Sequence, residues 1–419
     1  MTKHTTGASW LMTVVTKILD HMSFIPKPQR KFLSTLFVTI LTVRGRVNFL
    51  NLSRYSAYTE RTFRRQYQAA FDFPEFNRLA IARVTDAETD LLLAQDASFI
   101  PKSGTQSYGL DSFWNGCTHR NERGQEISLI SIVDVARHTA FALSAHQTPP
   151  RPAPAQRQPK RPPQPRKTPP KKDGTDKSRM DFYLAHLSEC LPSVPEQVRY
   201  GVFDGAFAKH GFVNGVRQTG LHVISRLRCD ANLRYLYTGE QRGGRGRKRE
   251  YDGKVSFTDL TRFASAGEIE PHVHLYTQIV DSPSLKLKLR VVVVVNRSKP
   301  KQPRYVVLFS TACDLSAAAI FKYYTARFQI EFLFRDAKQF AGLSDCQARD
   351  KQALHFHFNA SLATVNLAKI ETMVADNKPQ RKVFSLSSFK QRAFNDHFLH
   401  LFISKLALEP NLIKKHPQY

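Results

Sequence analysis

The sequence predicts an α/β protein built on a mixed sheet, and three observations lead to that fold class. Helical patterns dominate residues 1–90 and return after Leu315. Apolar, β-branched runs fill much of the chain between them, as in residues 91–100. Up to residue 228 the order is strand, strand, strand, helix, strand, helix, strand, which is compatible with helices packed on one mixed sheet.

The net charge indicates a polyanionic partner. Lysine and arginine outnumber aspartate and glutamate by 62 to 35, which gives a formal net charge of +27. A chain this basic repels itself unless it meets a polyanion, and nucleic acid is the usual one because phosphate contacts release condensed counterions. A ribosomal or membrane-surface protein can carry a similar charge, so the charge alone does not choose among these classes.

Two further patterns bear on location. The five cysteines are far apart and form no CxxC pair, which argues against a zinc ribbon and against a disulfide-stapled secreted fold. The longest apolar stretch near the N-terminus, residues 32–43, is too short to span a bilayer. No signal peptide with a cleavage site is found. We therefore expect a cytoplasmic protein that does not associate with a membrane.

Residues 1–90 are expected to form a helical DNA-binding region. Within residues 47–68 a short apolar helix is followed by Thr59, which can cap a second helix carrying Arg61, Arg64 and Arg65. Two short helices with arginines on the second are typical of a helix-turn-helix that docks on DNA. A plain helical hairpin with a solvated basic face predicts the same pattern, and the sequence leaves both open.

The remaining boundaries follow from composition and hydrophobic pattern. Prolines in residues 148–177 cannot donate to a strand ladder, so this stretch is predicted to be an unfolded linker, either a basic tether that touches DNA or a spacer. The other segments are a first core part at 91–147, a second at 178–228, a β-rich insertion at 229–314, a third core part at 315–375, and a helical basic C-terminal region at 376–419.

Two further patterns in the sequence predict surface contacts. A glycine-arginine loop lies in the insertion, and its charge density favours DNA contact over an idle solvated loop; its basic residues are Arg242, Arg245, Arg247, Lys248 and Arg249. An amphipathic stretch near the C-terminus is expected to pack on the core, with dimerisation as the alternative; it contains Phe394, Phe398, Leu401, Phe402 and Lys405.

The hydrophobic periodicity of residues 317–340 predicts one continuous helix. At 100° per residue, one face carries Tyr324, Arg327, Glu331 and Lys338 within roughly a 60° arc. A separate apolar stripe is the expected core face, comprising Ala326, Ile330, Leu333, Ala337 and Phe340. Considered alone, the polar face favours a surface salt-bridge stripe, since Arg327 and Glu331 are four residues apart.

The spacing of these four residues, Y-(2)-R-(3)-E-(6)-K, resembles the Y-R-E-K pattern of DDE transposases of the IS-four type, which have an RNase H-like core. Residues 95–99 (QDASF), followed by KSG at 102–104, look like that family's first-aspartate strand. Residues 202–209 (VFDGAFAK) look like the second, and a β-rich insertion before the glutamate is also typical of this branch. The resemblance covers about residues 91–375.

The resemblance implies that Asp96, Asp204 and Glu331 are catalytic and bind two Mg²⁺ (or Mn²⁺) ions. Phosphodiester cleavage needs an activated water and a stabilised leaving oxygen, and a metal pair about 3.5 to 4 Å apart supplies both. Carboxylates are suitable ligands for such ions. The resemblance further implies that Tyr324, Arg327 and Lys338 contact DNA near the transposon end.

The resemblance also implies the biology. The chain is expected to bind double-stranded DNA, both the terminal inverted repeats of a mobile element and target DNA. It would cleave and transfer strands, act as a homodimer in the DNA complex and associate with the nucleoid. Two alternatives stay open: a catalytically inactive derivative that still binds DNA, and an RNase H-like nuclease that never joins strands.

Other candidate ligands are interpreted structurally. Asp134 ends a strand, where aspartates usually serve turns. Asp336 points about 140° away from Glu331 on the predicted helix and is expected to be solvated. The histidine pairs His272/His274 and His355/His357 are also interpreted as structural.

Overall fold

A computed structural model describes residues 7–22, 24–150, 178–241, 246–298, 304–375 and 384–408. Most of the predicted linker, residues 151–177, lies outside the described residues, as do Arg242, Arg245 and the last eleven residues. Among the described residues no helix combines the length and apolar character that a bilayer crossing requires.

The described residues form eleven α-helices and twelve strands. The helices are α1 (Gly7–Asp20), α2 (Lys27–Thr42), α3 (Phe49–Arg54), α4 (Glu60–Gln66), α5 (Phe73–Ile81), α6 (Arg179–Cys190), α7 (His210–Gln218), α8 (Ala317–Ala326), α9 (Gln329–Phe340), α10 (Lys351–Ala375) and α11 (Leu386–Lys405). The strands are β1 (Leu91–Pro101), β2 (Asp111–Asn115), β3 (Arg120–Asp134), β4 (Thr139–Gln147), β5 (Tyr200–Phe203), β6 (His222–Leu227), β7 (Arg234–Leu236), β8 (Tyr251–Lys254), β9 (Ala264–Glu270), β10 (Val273–Ser282), β11 (Leu287–Asn296) and β12 (Arg304–Ser310).

All twelve strands join one mixed sheet. Its main path runs β2-β3-β1-β5-β6-β12-β11-β10-β7-β8, with β4 paired to β3 and β9 paired to β10. The pairs β1–β5 and β5–β6 are parallel, whereas β1–β3 and β3–β4 are antiparallel. The prediction of an α/β fold on a mixed sheet is confirmed, and the arrangement is compatible with an RNase H-like core.

The β-rich segment predicted as an insertion continues the core sheet. Strand β12 pairs antiparallel with β6, so that Val307 lies opposite Leu227. Strand β11 then pairs with β12, and β10 with β11. The five consecutive valines of β11, residues 291–295, are buried or half-buried, and α8 packs on this strand. The segment therefore shares hydrogen bonds with the core rather than forming a separate sheet.

Helix α10 anchors the sheet from one side. Most of its residues are buried, and two of its asparagines hydrogen-bond to the backbone of β4. Asn359 accepts from the Ala145 N–H at 2.8 Å and donates to the Ala145 carbonyl at 2.8 Å. Asn366 does the same with Ala142, at 2.8 and 2.7 Å. These bonds satisfy buried polar groups and fix the helix in one register on the strand.

The two short helices predicted in the N-terminal region are present. The Thr59 side chain accepts from the Thr62 N–H at the start of α4, as expected for a helix cap. Arg61, Arg64 and Arg65 are exposed, and Arg64 pairs with Glu60 with Nε–Oε1 at 2.9 Å. Docking of this hairpin on DNA stays a prediction.

A stack of three histidines joins β4, α6 and α10, which carry His146, His186 and His355. The rings of His146 and His186 are 4.0 Å apart and nearly parallel, and the His355 ring lies 5.3 Å from His146. Both ring nitrogens of His186 lie within hydrogen-bond distance of hydroxyls, Ser128 at 2.9 Å and Ser144 at 3.1 Å. Burial lowers the pKa of His146 and of His355 to about 4, and that of His186 well below its ordinary value.

These lowered pKa values predict acid instability. An unfolded histidine takes up a proton near pH 6.5, whereas the folded His146 and His355 resist protonation down to about pH 4. The contribution of these histidines to the free energy of unfolding is therefore complete above pH 6.5, and it is lost as the pH drops from 6.5 toward 4. We expect His355→Gln to reduce that loss by on the order of 2 kcal/mol. Urea unfolding at several pH values measures it.

The exposed His210 provides the control, since His210→Gln removes a histidine outside the stack. If both variants follow the wild-type pH dependence, the stack does not cause the acid instability.

Candidate active site

The pairing of β1 with β5 brings two of the three predicted acids together. The two strands are parallel, and Gln95 lies opposite Phe203. Asp96 follows Gln95 within β1, and Asp204 follows Phe203 directly after the end of β5, so the two acids lie at neighbouring positions. Asp204 precedes a short 3₁₀ turn, where its side chain accepts from the Ala206 N–H at 3.5 Å. The first two acids are thus positioned by backbone pairing.

Glu331 reaches the site from α9, but the single helix predicted over residues 317–340 is wrong. The chain forms α8 and α9, separated by a turn at Arg327 and Phe328. The Arg327 N–H is shared between the Tyr323 and Tyr324 carbonyls at 3.3 Å each, and the Glu331 N–H bonds to the Phe328 carbonyl three residues back. These bonds interrupt the regular i→i+4 ladder at Arg327 and Phe328, although both residues keep right-handed helical dihedrals.

Arg327 bridges the acids at this turn. Its Nη1 lies 3.3 Å from Asp96 Oδ2, and its Nη2 lies 3.0 Å from Glu331 Oε1. The Arg327 side chain is only 12% exposed, whereas those of Asp96 and Glu331 are 23% and 42% exposed. The interpretation of Arg327 and Glu331 as a surface salt-bridge stripe therefore fails, because the arginine is largely buried and also reaches the first acid.

The electrostatics of Asp96 reflect its surroundings. Burial raises its pKa to about 6, against the opposing effects of Arg327 and of a hydrogen bond from the Ala97 N–H. The charges of Asp204 and Glu331 raise it further. Asp96 is therefore within range of both other acids, and the charges of all three acids act on the Arg327 guanidinium.

Tyr324 lies beside the same centre, together with two residues that sequence reasoning missed. Burial raises the Tyr324 pKa; the charges of Arg327 and Arg226 oppose that rise and the charge of Asp204 adds to it. Ser225 donates its hydroxyl to the Asp204 carbonyl at 3.1 Å. Ser225 and Arg226 lie on β6, next to β5. The only sequence signal for them is a polar pair interrupting an apolar strand.

Lys338 contacts protein groups on β1. Its ammonium donates to Ser98 Oγ at 2.8 Å and to the Phe99 carbonyl at 2.9 Å. Burial lowers its pKa. Lys338 therefore links the helix that carries Glu331 to the strand that carries Asp96.

The predicted apolar stripe of α8 and α9 is confirmed, because Ala326, Ile330, Leu333 and Ala337 are buried and Phe340 is half-buried. The expectation that Asp336 is solvated is wrong. Its carboxylate is buried and pairs with Arg335 at 3.0 Å, because α9 is covered on that side by α10.

Asp134 serves a turn, as predicted: its carboxylate accepts from the Arg137 N–H at 2.9 Å and from Nη1 of that arginine at 2.6 Å. His357 bonds to the Gly342 carbonyl at 2.8 Å, and His272 turns the chain between β9 and β10 with a φ of 67°.

The described part of the arginine loop lies away from these contacts and is exposed; it comprises Arg247, Lys248 and Arg249. Arg247 pairs with Glu250 at 3.1 Å, and Arg249 pairs with Asp252 at 2.6 Å.

Two family models match the chain. The model described as DDE superfamily endonuclease matches residues 27–271, which is more than half of the chain and includes Asp96 and Asp204. This chain belongs to the DDE endonuclease superfamily. A second model, described as Transposase DDE domain, matches residues 178–367 and includes Asp204 and Glu331. No curated protein matches the chain.

Membership makes the chain a transposase-type nuclease, which implies a DNA substrate. DDE transposases typically use divalent metal ions. Among the described residues, no three His, Cys, Asp or Glu side chains are positioned to hold a metal ion as they stand. The donor set nevertheless fits such ions, because the charges of Asp204 and Glu331 both act on Asp96 and a guanidinium already bridges two of these three carboxylates. In this DDE domain Arg327 provides positive charge where the acids face each other.

We expect Lys338→Met to destabilise the fold. The substitution leaves Ser98 Oγ and the buried Phe99 carbonyl without their donor, and such a loss costs about 1–3 kcal/mol. Lys322→Met is the matched control, since Lys322 is 54% exposed and its pair with Asp90 at 3.4 Å contributes little. Thermal or urea unfolding measures both, and equal stability of the two variants would show that the Lys338 contacts do not hold α9 on β1.

Proposed function

We propose that this chain is a transposase of the IS-four type, in its Y-R-E-K group. It binds the terminal inverted repeats of a mobile DNA element and catalyses strand cleavage and strand transfer in cut-and-paste transposition. The observation that carries the proposal is the convergence of Asp96, Asp204 and Glu331 around Arg327, on two parallel strands and the first turn of one helix.

Asp96, Asp204 and Glu331 are the residues that would hold two Mg²⁺ or Mn²⁺ ions. Such a pair, when bound, activates the attacking water or 3′-hydroxyl and stabilises the leaving oxygen. Asp96 lies on paired backbone and Asp204 directly follows the paired residue Phe203, so the positions of the two residues are set before DNA arrives. Glu331 is the more exposed of the two bridged acids, and we assign it to the side that faces the DNA backbone.

Three groups of residues are proposed to contact DNA. Tyr324, Arg327 and Lys338 lie at or beside the acid centre and are assigned to the transposon end. The glycine-arginine loop is assigned to the flanking or target duplex, with Arg242, Arg245, Arg247, Lys248 and Arg249. The exposed arginines of α4 are assigned to the terminal repeat, namely Arg61, Arg64 and Arg65. Arg suits the forked phosphate contact, and the net charge of +27 supports a long DNA interface.

We further propose that the chain acts as a homodimer in its DNA complex and associates with the nucleoid. Support for the dimer comes from α11 and the residues after it. The prediction that this stretch packs on the core is wrong for three of its members: Phe398, Leu401 and Phe402 are 48%, 42% and 47% exposed. Leu399 and Leu406 are each 59% exposed. A contiguous apolar surface of this kind is typical of a protein interface.

Glu331→Gln tests the catalytic assignment. We expect Mg²⁺-dependent nicking of a duplex carrying the terminal repeats to fall at least a hundredfold, because an amide is a poor ligand for a hard cation. DNA affinity should change less than threefold. Gel assays of nicking and fluorescence anisotropy measure the two effects.

Glu196→Gln is the control, since Glu196 is exposed and lies outside the acid centre. Loss of DNA binding in Glu331→Gln would mean a structural role for the residue. A wild-type protein that binds but never nicks would be an inactive derivative. Nicking without joining of a 3′ end to a second duplex would indicate a nuclease that does not transfer strands.

The charge distribution predicts a steep salt dependence of DNA affinity. Each phosphate contact contributes a slope of about −0.9 in a plot of log affinity against log salt concentration. We expect Lys248→Ala to reduce the slope by about one contact, because Lys248 is exposed on the proposed DNA-binding loop. Arg228→Ala should leave it unchanged, since Arg228 belongs to none of the three groups of residues assigned to DNA. A flat wild-type dependence would contradict phosphate contact altogether.

A further inference from the structure

We infer that Arg327 blocks metal binding in the free protein until its guanidinium binds a DNA phosphate instead. We call this role of Arg327 the latch. The inference rests on the proposed function, since it concerns the same three acids. It adds a coupling: occupation of the acid centre by Arg327 and occupation by metal ions exclude each other. DNA binding and metal binding then strengthen one another.

The position of the guanidinium carries the inference. Its two terminal nitrogens contact different acids, Asp96 at 3.3 Å and Glu331 at 3.0 Å, so the group spans the space between the carboxylates. Asp204 is close enough for its charge to act on both Arg327 and Asp96. A divalent cation binding to these oxygens meets a positive charge already in place. Repulsion between the two is strong because the arginine is largely buried.

The third donor of Arg327 explains why a phosphate can release it. The Nε of Arg327 is buried and has no hydrogen-bond partner among the described residues. An unsatisfied buried donor is costly, and the acids do not offer it an oxygen. A phosphate can accept two parallel bonds from a guanidinium, Nε included. When the Arg327 guanidinium binds a DNA phosphate, its Nε gains a hydrogen-bond partner. The carboxylates that it contacted then become accessible to metal ions.

The backbone at Arg327 is suited to this movement. The residue lies at the turn between α8 and α9, and its N–H makes two long hydrogen bonds of 3.3 Å. A residue in the middle of a continuous helix would be held by a single well-formed ladder bond. Tyr324 lies beside the guanidinium, with the Arg327 Cζ 5.9 Å from its ring centroid, and can accompany it toward the DNA.

Metal titration of the free protein tests the latch without any DNA and without turnover. Free Mn²⁺ is measured by electron paramagnetic resonance in wild type, Arg327→Gln, Asp96→Asn and the double variant of both. We expect Arg327→Gln to bind Mn²⁺ at least tenfold more tightly than wild type, within the range usual for coupled ligands. The double variant should lose that gain, which assigns the tighter binding to the acid centre.

Arg335→Gln is the matched control, because Arg335 lies on α9, pairs with an acid and is 52% exposed outside the centre. It should bind Mn²⁺ like wild type. Arg327→Lys keeps the charge but cannot span two carboxylates, so its Mn²⁺ affinity should lie between those of wild type and Arg327→Gln. This variant also tests the latch if Arg327→Gln does not fold. Thermal unfolding provides a second readout: Mn²⁺ should raise the Tm of Arg327→Gln more than that of wild type.

The outcomes separate the latch from the proposed function. If Mn²⁺ binding depends on Asp96 but is no tighter in Arg327→Gln or Arg327→Lys than in wild type, the latch is wrong. The assignment of the metal site to the three acids then still holds. If Mn²⁺ binding does not depend on Asp96 in any variant, the latch and the metal assignment both fail.

Discussion

The parallel pairing of β1 with β5 is the constraint on which the site depends. It sets Gln95 opposite Phe203 at the end of β5, so that Asp96 and Asp204, the next residue on each chain segment, lie side by side. A slip of one residue in either strand would move one acid to the other face of the sheet. The antiparallel pairing of β1 with β3 over its whole length prevents such a slip. The precision of the site therefore comes from the sheet rather than from the side chains.

The closeness of the three acids disfavours their ionised forms, and a positive charge within the same centre offsets this effect. Burial and the neighbouring carboxylates both disfavour the ionised form of Asp96, and only Arg327 and one backbone N–H oppose them. The excess of basic residues elsewhere, a net +27, does little for this centre, because exposed charges are screened beyond about 10 Å at moderate salt. One buried guanidinium thus has a larger effect here than many surface lysines.

The sequence predicted the elements that depend on local pattern. Strands β1, β3, β4 and β6 and helix α6 begin and end within a few residues of the predicted positions, except that β3 begins earlier. It did not predict that β12 would pair with β6, since the two are far apart in sequence and many strand pairings satisfy the same pattern. Burial of Asp336 was missed for a related reason, because α10 covers it from a distant part of the chain.

Hydrophobic periodicity did not indicate the break between α8 and α9, yet this break gives a physical reason for the Y-R-E-K spacing. No proline or glycine marks the turn at Arg327 and Phe328, so propensity favours a continuous helix. Because α9 begins at Gln329, Glu331 lies in its first turn, where the helix dipole favours a carboxylate. A continuous helix would place Glu331 in the middle and remove that support. The four-residue spacing therefore joins an arginine at the end of one helix to an acid at the start of the next.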